Sequence, residues 1–188
     1  MADDGATDVG AADVEDEAAE AADAPPVEEV ERRQGVPVTS SHGQDVLHPS
    51  REELVDVVRA LRDEDGYAMC LDVCGVDYLT YEADRGLPPG VAPERFEVVV
   101  TVISHTSRDR LRLRVQVPGD DPTCPSLFDV HPGTEAMERE AFDLYGISFS
   151  GHPDLTRILM PEDWDGFPLR KDAAVGRIPV QFKATGGD

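Results

Sequence analysis

Three groups of side chains in this 188-residue chain have chemistry suited to a site: the thiols Cys70, Cys74 and Cys124, the set Glu138, Glu140 and His152, and the arginine run Arg110, Arg112 and Arg114. A thiolate metal site holds its sulfurs about 4 Å apart around bonds of about 2.3 Å, whereas Cys70 and Cys74 on one strand would lie about 13 Å apart at roughly 3.3 Å per residue. They read as small core residues. Cys124 has no near neighbour in sequence to pair with. An odd number of cysteines, behind an acidic N-terminus where a signal peptide would be basic, fits reduced thiols rather than a disulfide framework. Glu138, Glu140 and His152 are the types that general acid–base chemistry uses, but successive turns of an ion-paired helix supply carboxylates without catalytic purpose. A stand-alone hydrolase built on these three lacks a nucleophile and a metal-ligand spacing. No CxxC, GxGxxG or Walker loop occurs either, so no catalytic, cofactor-binding or metal-binding residues are expected in this chain.

The arginine run alternates with Leu111, Leu113, Val115 and Val117, which makes it the polar face of a half-buried strand over 109–117. An anionic ligand is one use for such a stripe; a solvated or partner-facing side of a sheet is the ordinary one. The tripeptide His152-Pro153-Asp154 matches that of J-domain cochaperones, where it joins two helices of an all-helical module. Here it follows Gly151 in a strand-rich chain, and the match is read as chance.

The elements that position these residues are legible in outline. Ser50 and Glu53 form a capping box ahead of Leu54, Val57, Val58 and Leu61, one buried face of a helix that ends near Gly66. A buried strand is predicted over 67–76, then a hairpin of strands 95–104 and 109–117 joined through HTSR. After a loop and a short extended piece, SLFDVHPG, a second helix begins at an N-cap Thr134, with Glu135 and Glu138 in its first turns, and stops at Gly146. Met137, Ala141, Leu144 and Tyr145 give it an apolar face, and Arg139 has Glu135 and Asp143 four residues to either side as clamps.

Net charge is −22 with pI near 4.4, which argues against general affinity for nucleic acid or an anionic membrane surface. Residues 1–31 hold twelve Asp or Glu and no Lys or Arg. Their Ala, Gly and Pro background offers little apolar surface against the entropy of ordering. They read as a disordered, solubilising tail rather than a docking arm for a basic surface. The chain divides into the tail over 1–34, an α+β domain over 35–146 and an extended partner-docking arm over 147–188. The arm is too long and irregular for an ordinary loop. Phe149, Leu155, Ile158, Leu159, Met160, Trp164, Phe167 and Leu169 need a surface to bury against, Pro153, Pro161 and Pro168 stiffen it, and Arg170 and Lys171 suggest an acidic neighbour. No apolar run approaches the roughly 20 residues that span a bilayer.

The segments EREAFDLYGI, GHPDLTRILMPEDW and PLRKD, in that order and spacing, resemble the signature of the C-subunit of the proton-pumping NADH:quinone oxidoreductase, the 30 kDa subunit family of respiratory complex I. The resemblance covers roughly 49–183 and rests on Glu138, Arg139, Glu140, Asp143, Gly146, His152, Pro153, Arg157, Leu159, Pro161, Trp164, Pro168, Leu169, Arg170 and Lys171 as signature and interface positions. It implies a scaffold of the peripheral arm without flavin or iron–sulfur cluster of its own, FMN and clusters being carried by neighbouring subunits. It also implies packing against the hydrogenase-like quinone-site subunit and the neighbouring cluster-carrying subunits. The expected place is the cytoplasmic side of the cell membrane, peripherally held, and the expected role is support of electron transfer from NADH to quinone coupled to proton translocation, a translocase activity that belongs to the assembly. The alternative is the equivalent subunit of a membrane-bound hydrogenase or a deazaflavin-dependent dehydrogenase. The expected fold is α+β: a small mixed sheet with helices packed on one face, followed by an extended C-terminal arm.

Overall fold

A computed structural model describes residues 30–173. The acidic segment up to residue 29 and the end of the arm from residue 174 lie outside them. The elements in chain order are β1 (Arg32–Arg33), β2 (Val36–Ser41), β3 (Gln44–Leu47), α1 (Leu54–Asp63), β4 (Met69–Asp77), β5 (Phe96–Ser104), β6 (Asp109–Val117), β7 (Thr123–Pro125), α2 (Glu135–Tyr145) and β8 (Ser148–Ser150). The sheet begins ahead of residue 35, since Arg33 already pairs with Val36.

Six strands form one sheet in the order β1-β2-β3-β6-β5-β4, and β7 and β8 form a second, parallel pair. The sheet is mixed because β3 returns through α1 to the far edge, leaving β3 parallel to β6 while its other pairs are antiparallel. The β5–β6 hairpin sits at its centre. Cross-strand pairs Phe96↔Val117, Val98↔Val115, Val100↔Leu113 and Val102↔Leu111 place eight apolar residues on one face, all fully buried. They join Leu54, Val57, Val58 and Leu61 of α1 and Ala141 of α2 in one core, so both helices serve the same face. The capping box forms as expected: Ser50 N–H donates to Glu53 Oε2 at 2.9 Å and Glu53 N–H to Ser50 Oγ at 3.3 Å.

Two readings of the cysteines need correction. A register shift between Cys70 and Asp72 pairs Cys70 with Val102, on the core face, and Cys74 with Val99, on the other. A bulge of this kind reverses the alternation, so the two thiols point apart. Cys74 is exposed and Cys70 half-buried; only Cys124 is a core residue. Burial pushes the Cys70 thiol up to about 11.

The arginine run also differs from a solvated stripe. On the second face Glu97 pairs with Gln116 and is 1% exposed. Its carboxylate accepts from Arg114 at 2.8 and 3.0 Å and from Gln116 at 2.6 Å. The loop after β4 closes over it: Arg85 stacks on Tyr78 at 4.0 Å, and Arg114 donates to the Arg85 carbonyl at 2.9 Å. Arg110 remains exposed and Arg112 half-buried. Charge thus runs from open to enclosed along one strand.

Candidate functional site

Helix α2 is the hub of the signature residues. It packs so closely on β4 that a Cβ at Gly75 would lie 2.9 Å from Tyr145 Cδ2. Glu138, with no exposed surface, accepts from Ser126 Oγ at 2.6 Å, Leu127 N–H at 2.8 Å and Thr134 Oγ1 at 2.9 Å. It ties the entry loop to the helix. Thr134 therefore does not cap: it is helical in backbone, makes no capping bond and closes a 3-10 turn over Pro132–Thr134. SLFDVHPG is correspondingly turned rather than extended, with the His131 and Val130 amides both bonded to the Leu127 carbonyl.

Arg139 and Asp143 of α2 reach for the arm, not for one another. Arg139 pairs with neither Glu135 nor Asp143; it donates to the Thr156 carbonyl at 3.1 Å, to Thr156 Oγ1 at 3.0 Å and to the Arg157 carbonyl at 3.1 Å. Asp143 is fully buried. Its Oδ1 meets Arg157 at 2.6 Å, and its Oδ2 accepts the consecutive amides of Ile158, Leu159 and Met160 at 3.1, 2.7 and 2.8 Å. Burial alone would raise this carboxyl; the three amides and the guanidinium outweigh it and hold it below the usual carboxylate range. Arg157 also donates to the carbonyls of Trp164 and Gly166 at 3.2 and 3.0 Å, which closes the arm into a turn over α2.

Gly146 ends the helix in the left-handed conformation, φ 70°. The arm passes so near that a Cβ there would lie 2.5 Å from Phe167 Cε2 and 2.6 Å from Arg170 Nη2. Arg170 turns inward, which corrects its expected role toward an acidic partner. It donates to the Tyr145 carbonyl at 2.6 Å and stacks on Phe167 and Phe96, its guanidinium carbon 4.6 and 5.1 Å from their ring centres. The Leu169 amide bonds the Leu144 carbonyl at 3.1 Å. Beyond it the Lys171 amide donates at 2.9 Å to Asp77, a carboxylate at the end of β4 that also holds Arg95 at 3.0 Å and the Leu79 amide at 3.0 Å. Asp77 and the Glu97 cluster are site-grade polar groups that the sequence reading missed. The signal for Asp77 was available, as an acidic residue continuing the buried alternation of Val73 and Gly75.

At the start of the arm Ile147 and Phe149 are buried in the domain's own core, so Phe149 needs no partner surface, but further along apolar side chains face out. Ile158 is 41% exposed, Leu159 59% and Leu169 44%. Leu79 and Tyr81 are exposed as well, 49% and 54%, and the Leu79 amide binds the same Asp77 carboxylate as the Lys171 amide. Glu140, Pro153, Pro161 and Lys171 are also exposed, while Trp164 and Pro168 are half-buried.

The hydrolase set is dispersed. Glu138 is enclosed and Glu140 exposed. His152 accepts the Asp154 amide on Nδ1 at 3.1 Å and donates from Nε2 to the Glu135 carbonyl at 3.1 Å, so both ring nitrogens fasten the arm's first turn. Among the described residues no group of three or more His, Cys, Asp or Glu is placed to hold a metal ion. No helix among them is long and apolar enough to cross a membrane.

Residues 47–178 match the family described as respiratory-chain NADH dehydrogenase, 30 kDa subunit. The NADH-quinone oxidoreductase C-subunit of Saccharopolyspora erythraea is 42% identical over 160 residues, 81% of this chain and 60% of that protein. Its counterpart in Roseiflexus castenholzii is 46% identical over 138 residues, 72% of this chain and 73% of that one. Among solved structures, a trypsin-resistant fragment of Nqo5 superposes with TM-score 0.55 at 35% identity, covering 64% of this chain and 90% of the fragment. A chain of the archaeal membrane-bound sulfane sulfur reductase gives TM-score 0.57 at 17% identity, over 79% of this chain and 87% of that one, a likeness of fold alone.

Proposed function

The chain belongs to the 30 kDa subunit family of respiratory-chain NADH dehydrogenase, and on that premise we propose that it is a structural subunit of the peripheral arm of an NADH-quinone oxidoreductase. It carries no redox group. FMN and iron–sulfur clusters sit in neighbouring subunits, and the chain supports the passage of electrons from NADH to quinone by holding those neighbours in register. The subunit is held peripherally on the cytoplasmic side of the membrane. Relatives named for NADH-quinone oxidoreductase favour this reading over a hydrogenase or deazaflavin-dependent complex.

One observation carries the docking role: the arm turns its polar groups inward onto α2 and leaves Ile158, Leu159 and Leu169 in water. Apolar side chains on a segment fastened by hydrogen bonds are placed for burial elsewhere, and the partner is the hydrogenase-like quinone-site subunit with its cluster-carrying neighbours. Ile158→Ser, Leu159→Ser and Leu169→Ser together test this. The isolated chain should keep its melting temperature to within a few degrees, while the intact complex on a native gel falls severalfold. Unchanged assembly would overturn the proposal.

A further inference from the structure

At one end of the sheet two hairpin turns lie side by side. β3 and β6 are parallel neighbours, Val46 opposite Arg112, so the His42-Gly43 turn that opens β3 and the turn before β6 sit at the same end. They border an open cleft of about 660 Å³ whose lining includes His42, His105, Arg108 and Arg110, all four exposed. Asp109 is the acidic residue of this lining, and its Oδ2 already accepts the Tyr67 hydroxyl at 2.6 Å. Eight of the fourteen arginines of the described residues stand in ion pairs; Arg108 and Arg110 are among the six that have no ion-pair partner among the described residues. Arg108 moreover holds φ 56°, a conformation in which glycine or asparagine costs less. An unmatched basic cleft therefore stands on a chain of net charge −22.

The complementary charge lies in the same chain. Residues 13–20 hold five of the twelve carboxylates of residues 1–31, with no Lys or Arg among them. The chain enters the sheet beside the cleft: the Glu31 carbonyl accepts the Val38 amide at 2.9 Å, and from Val38 the strand runs four residues to His42, about 13 Å at roughly 3.3 Å per residue. Arg33 reaches Tyr67 at 3.2 Å, the same hydroxyl that binds Asp109. The ten residue steps from Glu20 to Val30 span up to about 35 Å when extended, more than the distance required.

We propose that the cleft between the two hairpin turns binds the acidic N-terminal segment of its own chain, residues 13–20, through Arg108 and Arg110. The segment covers a basic surface that would otherwise attract acidic proteins, and its charge-assisted contacts weaken as salt rises.

Amide NMR spectra of the full chain test this. Replacing Asp13, Glu15, Asp16, Glu17 and Glu20 by Asn or Gln should shift the amides of His42, Gly43 and residues 105–110 and leave Val100 and Leu113 in place. Raising salt from about 0.05 to 0.5 M should move the wild-type resonances toward the same positions. Arg108→Glu with Arg110→Glu should abolish the response to neutralising the segment, and adding Asp16→Lys and Glu17→Lys should restore a salt-sensitive shift. Spectra of the wild type and the neutralised variant that superpose at the hairpin turns would overturn the proposal. So would loss of the assembled complex on a native gel for the arginine pair alone, with the neutralised variant assembling normally: the occupant would then be an acidic segment of a neighbouring protein.

Discussion

Replacing Asp143 by Asn isolates the fastening of the arm from everything else in the fold. The carboxylate serves two clients at once, the Arg157 guanidinium on one oxygen and three consecutive amides on the other. An amide side chain can serve only one. With its oxygen toward the amides it sets its NH2 against Arg157; reversed, it sets two donors against three N–H groups. Leaving one partner of a buried charged pair unmatched costs about 3–5 kcal/mol. Here the loss is capped by the free energy of docking the arm, because residues 156–166 can leave α2 and be hydrated. The expected outcome is therefore local. Even 3 kcal/mol is roughly a hundredfold in the opening equilibrium, so hydrogen exchange at Ile158, Leu159 and Met160 should speed by about that factor, while Val100 and Leu113 keep their protection. Assembly on a native gel should fall with it, since the apolar surface is no longer presented in one arrangement. Protected amides at 158–160 in Asp143→Asn would refute this account of how the arm is held.

Gly146→Ala should lower the thermal stability of the isolated chain, because the left-handed conformation alone costs about 1–2 kcal/mol and the new Cβ also displaces Phe167 and Arg170; an unchanged melting temperature would contradict the packing of 167–170 on the helix end. His48 is buried and bonded through Nε2 to Thr39 Oγ1 at 2.8 Å, and burial with the Arg114 charge nearby pushes it down to about 4. Between about 4 and its ordinary 6.5 the unfolded chain binds the proton and the folded chain does not, so stability should fall by up to about 3 kcal/mol as pH drops through that window. Denaturant unfolding at pH 7 and pH 5 checks this, and His48→Gln should flatten the difference. Deleting residues 1–29 should leave assembly and NADH oxidation by the complex intact, since those residues precede the strands that build the sheet; a defect as large as loss of the subunit would make them a docking element.

What could be read from the sequence was whatever depends on a short period. The alternation of 109–117 and the i, i+3, i+4, i+7 face of α1 follow from burial along one element, and both are realised. Interactions set by the third dimension were misjudged. Arg139 looked clamped within its own helix because i±4 partners are the only ones sequence spacing displays, yet a carbonyl-rich chain crossing above the helix competes for the guanidinium and wins. Arg170 looked like a charge for a partner because a basic residue in an acidic protein invites one; two aromatic faces and a helix C-terminal carbonyl satisfy it inside. Arg114 looked solvated because nothing in the alternation says that the loop after β4 will cover that face. The bulge in β4 is equally silent, and it puts Cys70 on the face opposite Cys74.

The inward-turned arginines and the carboxylates that hold the arm bear on how the subunit works. A peptide arm held only by apolar contact to its own domain would hide the groups a partner needs, and an arm held only by a partner would have to be ordered during assembly, adding that entropy to the cost of association. The chain separates the two tasks by chemistry. Backbone amides and carbonyls, Arg157 and Arg170 satisfy the arm against α2 and Asp77, while Ile158, Leu159 and Leu169 are left over because the helix's own polar ends have taken the near side. Buried Glu138 and Asp143, the first of which looked like an acid–base candidate, are thus the two ends of one fastening: the first fixes the loop that leads into the helix, the second fixes the arm that leads out. Neutralising either should loosen its own segment and not the other's. A single exchange experiment on Glu138→Gln, read at Leu127 and at Leu159, decides this: loss of protection at Leu127 with Leu159 unaffected supports independent fastenings, and joint loss would mean that helix and arm come off the sheet together.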